Sequence, residues 1–279
     1  MTHFDFASVQ WPDLPFDIEK HACLVMRRGS ESHGLYIPPE DEMGTDDRDL
    51  MVVVVPPLEY VFGLATWNGT AESIKGVWDV VVYDWRKFVH LLVKQNPNVV
   101  GTLWLAEEDY LHRNEIGRWI CDARLAFRAR HPAYVAFSGY ACAQMKKMEN
   151  GAREGYMGAK RKLLVEKFGY DTKNATHLIR LLRMGTEFLR DGTMQVRRTA
   201  DAEELKAIKH GKYTLAEIKE IADIEFRRCD SLLASSVVPP EVDRAAIEHL
   251  LLRVAAKAYG AILAPPPPST PESAPREGK

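Results

Sequence analysis

The chain has 279 residues, 46% of them hydrophobic and 27% charged, with a formal net charge of −2. That length can bury a sizeable core in one large domain or two small ones, and the composition is that of a soluble globular protein. No apolar run approaches the roughly 20 residues of a membrane span, and Met1-Thr-His-Phe-Asp5 has no basic, apolar leader pattern, so a cytosolic protein is expected. The four cysteines (Cys23, Cys121, Cys142 and Cys229) form no Cys-x-x-Cys pair. They read as buried free thiols, not as zinc ligands or a disulfide framework.

Residues 1–16, with Pro12 and Pro15, read as a poorly ordered lead-in. Asp17 can cap a short helix that passes into the apolar strand Ala22–Met26. Gly29 breaks that strand, and Ser30 sits in the turn. An acidic loop follows, held by Pro38, Pro39 and Gly44. Leu50–Val55 is apolar on both faces, the pattern of a central strand covered on both sides, and Pro56-Pro57 stops it. Residues 58–75 are ambiguous, with turn signals at Gly63, Asn68 and Gly69. Val77–Tyr83 is a β-branched strand. Asp84 then caps a helix from Trp85 to Gln95, with Phe88, Leu91 and Leu92 on one face. Asn96-Pro97-Asn98 ends it, and a second short helix runs through Leu103-Trp104-Leu105.

From about residue 114, helical periodicity replaces strand signals. Helices are expected near 114–128, 132–149, 153–168, 172–190, 201–209, 214–235 and 241–260, broken at Gly169, Gly192, Gly211 and Pro239-Pro240. The Pro-rich tail from Ala264 is expected to be disordered. The chain therefore reads as α+β: a small domain over 1–112 with a mixed sheet and helices, an all-helical domain over 113–262, and a tail over 263–279.

Charge is also unevenly spread along the chain. Residues 1–150 carry 15 Lys/Arg against 21 Asp/Glu, and residues 151–260 carry 20 against 16. The run from Lys146 to Arg183 holds ten bases and four acids. An acidic half facing a basic half suits metal-dependent chemistry on phosphates, though two solvated faces would give the same counts.

Asp47 and Asp49 are two residues apart at the head of the central strand, so strand parity points both the same way and Asp46 the other. Converging carboxylates repel unless a cation lies between them, and an all-oxygen site suits Mg²⁺ or Mn²⁺. Asp79 opens the next strand and reaches the pair if the two strands are neighbours. Gly29 and Ser30 offer a close-approaching backbone and a hydroxyl to phosphate oxygens. His33 is a second candidate there, or a plain loop histidine. On the helix at 172–190, Lys173, His177 and Arg180 form one stripe opposite Leu178, Leu182 and Leu189. The stripe is either a phosphate clamp or a solvated face. Lys160, Arg161 and Lys162 are kept only as possible contacts to a nucleic-acid backbone. Arg86 and Lys87 read as surface or interdomain ion-pair residues, and Trp78, Trp85, Trp104 and Trp119 as core.

Gly29-Ser30, Asp47-x-Asp49 and Asp79, in that order, resemble the active-site signature of the DNA polymerase β-like nucleotidyltransferase superfamily. Six blocks extend the resemblance to a bacterial and phage branch that includes an RNA-repair-associated member. They are Gly29–Gly34, Asp46–Met51, Asp79–Phe88, Asn96–Val99, Phe137–Tyr140 and His177–Leu182. The resemblance implies Mg²⁺-dependent transfer of a nucleoside monophosphate from an NTP or dNTP to a hydroxyl on nucleic acid, protein or a small molecule. It implies that Asp47 and Asp49 bind both ions and that Asp79 binds the catalytic one. The 16 residues between Ser30 and Asp47 make an enlarged loop for that superfamily. The alternative from another class is a catalytically silent module of the same fold that binds nucleotide or nucleic acid. A phosphohydrolase using the same metals is less favoured, because no water-activating base is marked.

Overall fold

The computed structural model describes residues 4–150 and 159–263. The tail from Ala264 and the start of the helix expected at 153–168 lie outside the described residues. Five strands form one sheet: β1 (Ala22–Arg27), β2 (Arg48–Val54), β3 (Thr70–Lys75), β4 (Trp78–Asp84) and β5 (Tyr110–Arg113), in the order β3-β4-β2-β1-β5. The β2–β4 pair is parallel and the other three pairs are antiparallel. The sheet is mixed, and β2 is its middle strand. Leu50 to Val54 are buried on both faces, as their unbroken apolar run requires.

The helices are α1 (Ile18–His21), α2 (Gly29–Ser32), α3 (Trp85–Val93), α4 (Pro97–Val100), α5 (Glu115–Asp122), α6 (Arg130–Asn150), α7 (Ala159–Phe168), α8 (Thr172–Asp191), α9 (Ala202–Lys209), α10 (Leu215–Leu232) and α11 (Arg244–Leu263). Side-chain oxygens cap many of them. Asp17 accepts from the Glu19 N–H, Asp84 from Arg86 and Asp171 from Asn174, and Thr214 with Glu217 completes a capping box. Gly192 ends α8 at φ +70°.

One face of the sheet (Cys23, Leu24, Met26, Met51, Val53 and Val81) shares a core with Phe88, Ile120, Phe137, Phe188 and Tyr259. A second core lies among α6, α8, α9 and α10, around Ala141, Leu178, Leu182, Leu205 and Ile218. The other face of the sheet (Val25, Leu50, Val52, Val54, Val80 and Val82) packs against Phe6, Val9 and Ile18. Among the described residues, all strands lie before residue 114, and the segments beyond are helices joined by turns and irregular links. No described helix is long and apolar enough to cross a membrane.

Five expectations need correction. The lead-in is ordered from Phe4: Phe6 and Val9 are buried, and Phe4, Trp11 and Phe16 pack beside them, because an apolar sheet face must be covered. Residues 70–75 form edge strand β3, joined to β4 through Gly76-Val77, and residues 110–113 form edge strand β5. Both are short and polar, so their sequences carry little apolar alternation. Pro97 opens α4, since the Asn96 side chain accepts from the Asn98 N–H, and a 3₁₀ turn, Gly101–Trp104, follows in place of a helix centred on Trp104. The helix expected at 114–128 divides into α5 and a 3₁₀ segment, Ala123–Phe127. Finally, Cys142 is exposed, whereas the other three thiols are buried.

Candidate active site

The site begins where β1 ends. The Arg28 N–H donates to the Asp49 carbonyl (3.0 Å), which carries the antiparallel pairing one residue past the strand. The chain then turns at Gly29, φ +67°. A side chain on Gly29 would place its Cβ 1.9 Å from Asp49 Oδ2. Glycine is therefore required twice over, for the left-handed backbone and for the carboxylate lying against it. The expected Gly-Ser turn is a single helical turn, α2, with Ser30 inside it; the Ser32 hydroxyl donates to the Gly29 carbonyl at 3.1 Å.

Parallel pairing sets Asp49 opposite Asp79 in register. Paired residues on neighbouring strands share a face and lie about 4.8 Å apart. Asp47 has the same parity as Asp49 but precedes β2 and is exposed. Asp49 is half-buried, and its carboxyl is pushed up to about 6. Burial is the main cause; Asp79 and Asp47 push the same way, while Arg28 and Lys173 oppose them. Arg28 Nη2 donates to Asp79 Oδ1 at 2.5 Å, reaching across the end of β2.

Facing these acids is one side of α8. Lys173, His177 and Arg180 line the same cleft of about 330 Å³ as Gly29, Ser30, His33, Asp47, Asp49 and Asp79. All nine candidate residues thus border one space. The stripe on α8 is not a solvated face at its inner end, where Arg180 is only 7% exposed. Its Nη1 donates to Met184 Sδ (3.2 Å), and no described ion pair includes it. Burial, and secondarily Arg198, bring its pKa down to about 10. A buried guanidinium held in no described ion pair is a site for an incoming anion. His33 is held neutral, its pKa driven well below the ordinary imidazole value by burial first and then by Arg180. Its Nδ1 lies 3.1 Å from the Val196 carbonyl, so Nδ1 is the donor and Nε2 presents a lone pair.

The donor set fits a divalent ion in chemistry: two half-buried carboxylates side by side, a third at the mouth, all oxygen. Among the described residues, however, no three His, Cys, Asp or Glu side chains are gathered closely enough to hold a metal ion. Asp47 stands at the rim, and Arg28 holds Asp79.

Sequence reasoning assigned no role to Arg28, Asn98, Thr45 or Lys209, all of which line the cleft. Arg28 directly precedes Gly29, and that adjacency was the available signal. Asn98 lies in the Asn96–Val99 block, and the Asn96 side chain donates to the Tyr140 hydroxyl (3.0 Å), which ties that block to the Phe137–Tyr140 block. Phe137 itself packs on Gly185 of α8, where a Cβ would meet it at 2.9 Å. Of the two blocks, Pro97 and Asn98 line the cleft. Arg86 pairs with its own neighbour Asp84 (2.7 Å). Lys162 is exposed on α7; the side chains of Lys160 and Arg161 lie outside the described residues. A second hollow of about 490 Å³ adjoins the cleft at Thr45, Asp47, Lys173 and Lys209, between the enlarged loop and α7. That loop is tied to the helical side by Asp41–His210 (3.1 Å) and Glu42–Lys167 (2.7 Å).

The mixed sheet, the Gly-Ser turn, the paired aspartates on adjacent strands and the facing basic helix agree with the resemblance to polymerase β-like nucleotidyltransferases. Residues 20–251 match RlaP, the RNA repair pathway DNA polymerase beta family, and the chain belongs to that family. Among solved structures, a nucleotidyltransferase-like protein from Exiguobacterium sibiricum 255-15 is similar at 11% identity, covering 87% of this chain and 72% of that one. Its TM-score of 0.26 is too low to argue from. No curated protein matches.

Proposed function

We propose that the protein is a Mg²⁺- or Mn²⁺-dependent nucleotidyltransferase that moves a nucleoside monophosphate from an NTP or dNTP to a hydroxyl at a nucleic-acid end. The observation that carries this reading is the in-register pair Asp49 and Asp79 facing, across one cleft, a buried Arg180 that has no acidic partner among the described residues. Residues 1–112 form the transfer unit in this reading, and 113–262 the helical unit that supplies the phosphate wall.

Asp49 and Asp79 would hold the metal, with Asp47 joining them only by moving in from the rim. When bound, it neutralises the triphosphate and lowers the pKa of the attacking hydroxyl. Arg180, Lys173, His177 and the Ser30 hydroxyl hold the phosphates, and Gly29 lets the backbone approach them. The acceptor oxygen attacks the α-phosphorus, the bond from that phosphorus to the α–β bridging oxygen breaks, and pyrophosphate leaves. Asp79 takes the hydroxyl proton. The family's description as part of an RNA repair pathway supports RNA as the acceptor, as does the excess of bases over residues 151–260.

The test is incubation with α-labelled NTPs and Mg²⁺ against RNA, DNA and protein acceptors, resolved by mass. Addition of one NMP mass to RNA, lost in Asp49→Asn, is expected. A fully active Asp49→Asn protein refutes the site. The alternative is a silent nucleotide-binding module, and the Arg28–Asp79 ion pair is the observation that favours it. That alternative predicts NTP binding with no labelled product on any acceptor.

A further inference from the structure

We propose that Arg28 is the resident counter-cation of the Asp49–Asp79 pair: a divalent ion binds by displacing it, and the displaced guanidinium then takes a phosphate of the nucleotide.

Arg28 is fixed by its backbone beside Asp49 and by its side chain on Asp79. Two neighbouring carboxylates need positive charge between them. In this structure Arg28 provides it, and a divalent ion ligated by Asp79 at about 2.1 Å would set a second, stronger cation against the guanidinium that donates to Oδ1 at 2.5 Å, so the two repel. The attachment is thin. Among the described residues Arg28 makes one side-chain hydrogen bond, and its Nε is buried with no partner there. Arginines that only stiffen this fold are bound differently. Arg198 grips Glu187 with two N–H groups (2.7 Å each) and Asp201 with two more (2.8 and 3.0 Å), and Arg183 spans Asp201, Glu204 and Glu225. Arg28 therefore has donors to spare, at a place that also borders Ser30 and Arg180. Phosphate oxygens arriving there would satisfy the fork that Asp79 leaves mostly unused.

The consequence is coupling. Metal alone binds weakly because it must expel a cation that has nowhere better to go. Nucleotide alone binds weakly because Arg28 stays on Asp79. Each strengthens the other by the same factor. The second half of this inference rests on the nucleotide reading above; the first rests only on the ion pair.

The test uses the full-length, metal-free protein, and thermal melts confirm that each variant is folded. Mn²⁺ alone is titrated into wild type and Arg28→Gln and followed by electron paramagnetic resonance. Arg28→Gln is expected to bind Mn²⁺ at least about tenfold more tightly, the equivalent of ~1.4 kcal/mol. Arg28→Lys, which keeps the charge, should stay close to wild type. Separately, ATP affinity is measured in EDTA. Asp79→Asn is expected to bind ATP about tenfold more tightly than wild type, and the double variant Asp79→Asn/Arg28→Gln to lose that gain. Mn²⁺ affinity unchanged or weakened in Arg28→Gln overturns the inference, as does an ATP gain that persists in the double variant. If these binding shifts appear but no acceptor is ever labelled, the nucleotidyl-transfer reading fails and this one stands.

Discussion

At the scale of single residues, the site keeps charges that the fold alone would reject. The Asp49 carboxyl rises from 3.8 to about 6 through burial and its acidic neighbours. Between those values the folded state holds a proton that the unfolded state has lost, so stability falls as pH rises from about 4 to 6. At ~1.4 kcal/mol per unit the whole effect is at most about 3 kcal/mol. Asp49→Asn removes it: the metal-free variant should melt higher than wild type at pH 8, with no gain at pH 4. Calorimetry at the two pH values checks this, and a lower melting point at pH 8 would contradict it. Arg180 follows the same logic with the opposite charge. Arg180→Met relieves a buried cation, so it should raise metal-free stability by about 1–3 kcal/mol while abolishing the thermal shift that ATP gives wild type. Gly29→Ala puts a methyl into Asp49 and a side chain at φ +67°. It should cost about 2–3 kcal/mol in denaturant melts and remove activity as well.

At the scale of elements, what was legible in the sequence depended on local periodicity. The Asp47-x-Asp49 pair was readable because strand parity and the apolar run behind it are local facts. The register that sets Asp79 beside Asp49 was inferred from adjacency, and the parallel β2–β4 pairing is that register. The helices beyond residue 114 were readable from spacing and from glycine and proline breaks, because amphipathic helices announce themselves over many residues. Edge strands β3 and β5 were not, since each pairs with one neighbour and has little apolar pattern. Lys173, His177 and Arg180 were legible as a stripe, but the burial of Arg180 was not. It follows from what packs over α8, and residue spacing does not record that. Arg28 is the clearest miss, because its partner lies 51 residues away across an intervening strand.

At the scale of the whole molecule, the sheet and the helices share a core, so the cleft between acids and bases has rigid walls on both sides. The enlarged loop closes the cleft's flank through Asp41–His210 and Glu42–Lys167 and shapes the adjoining hollow. The ordered N-terminal aromatics seal the outer sheet face and so hold β2 and β4 from behind. The proposed arrangement sets a metal on Asp49 and Asp79 opposite a helix that would bind phosphate. The most direct measurement is the anomalous scattering of Mn²⁺ in crystals grown with a non-hydrolysable ATP analogue. The account predicts a peak about 2.1 Å from carboxylate oxygens of both Asp49 and Asp79, with Arg28 swung onto the phosphates. A fully occupied nucleotide with Arg28 still on Asp79 and no peak between the two acids would contradict it.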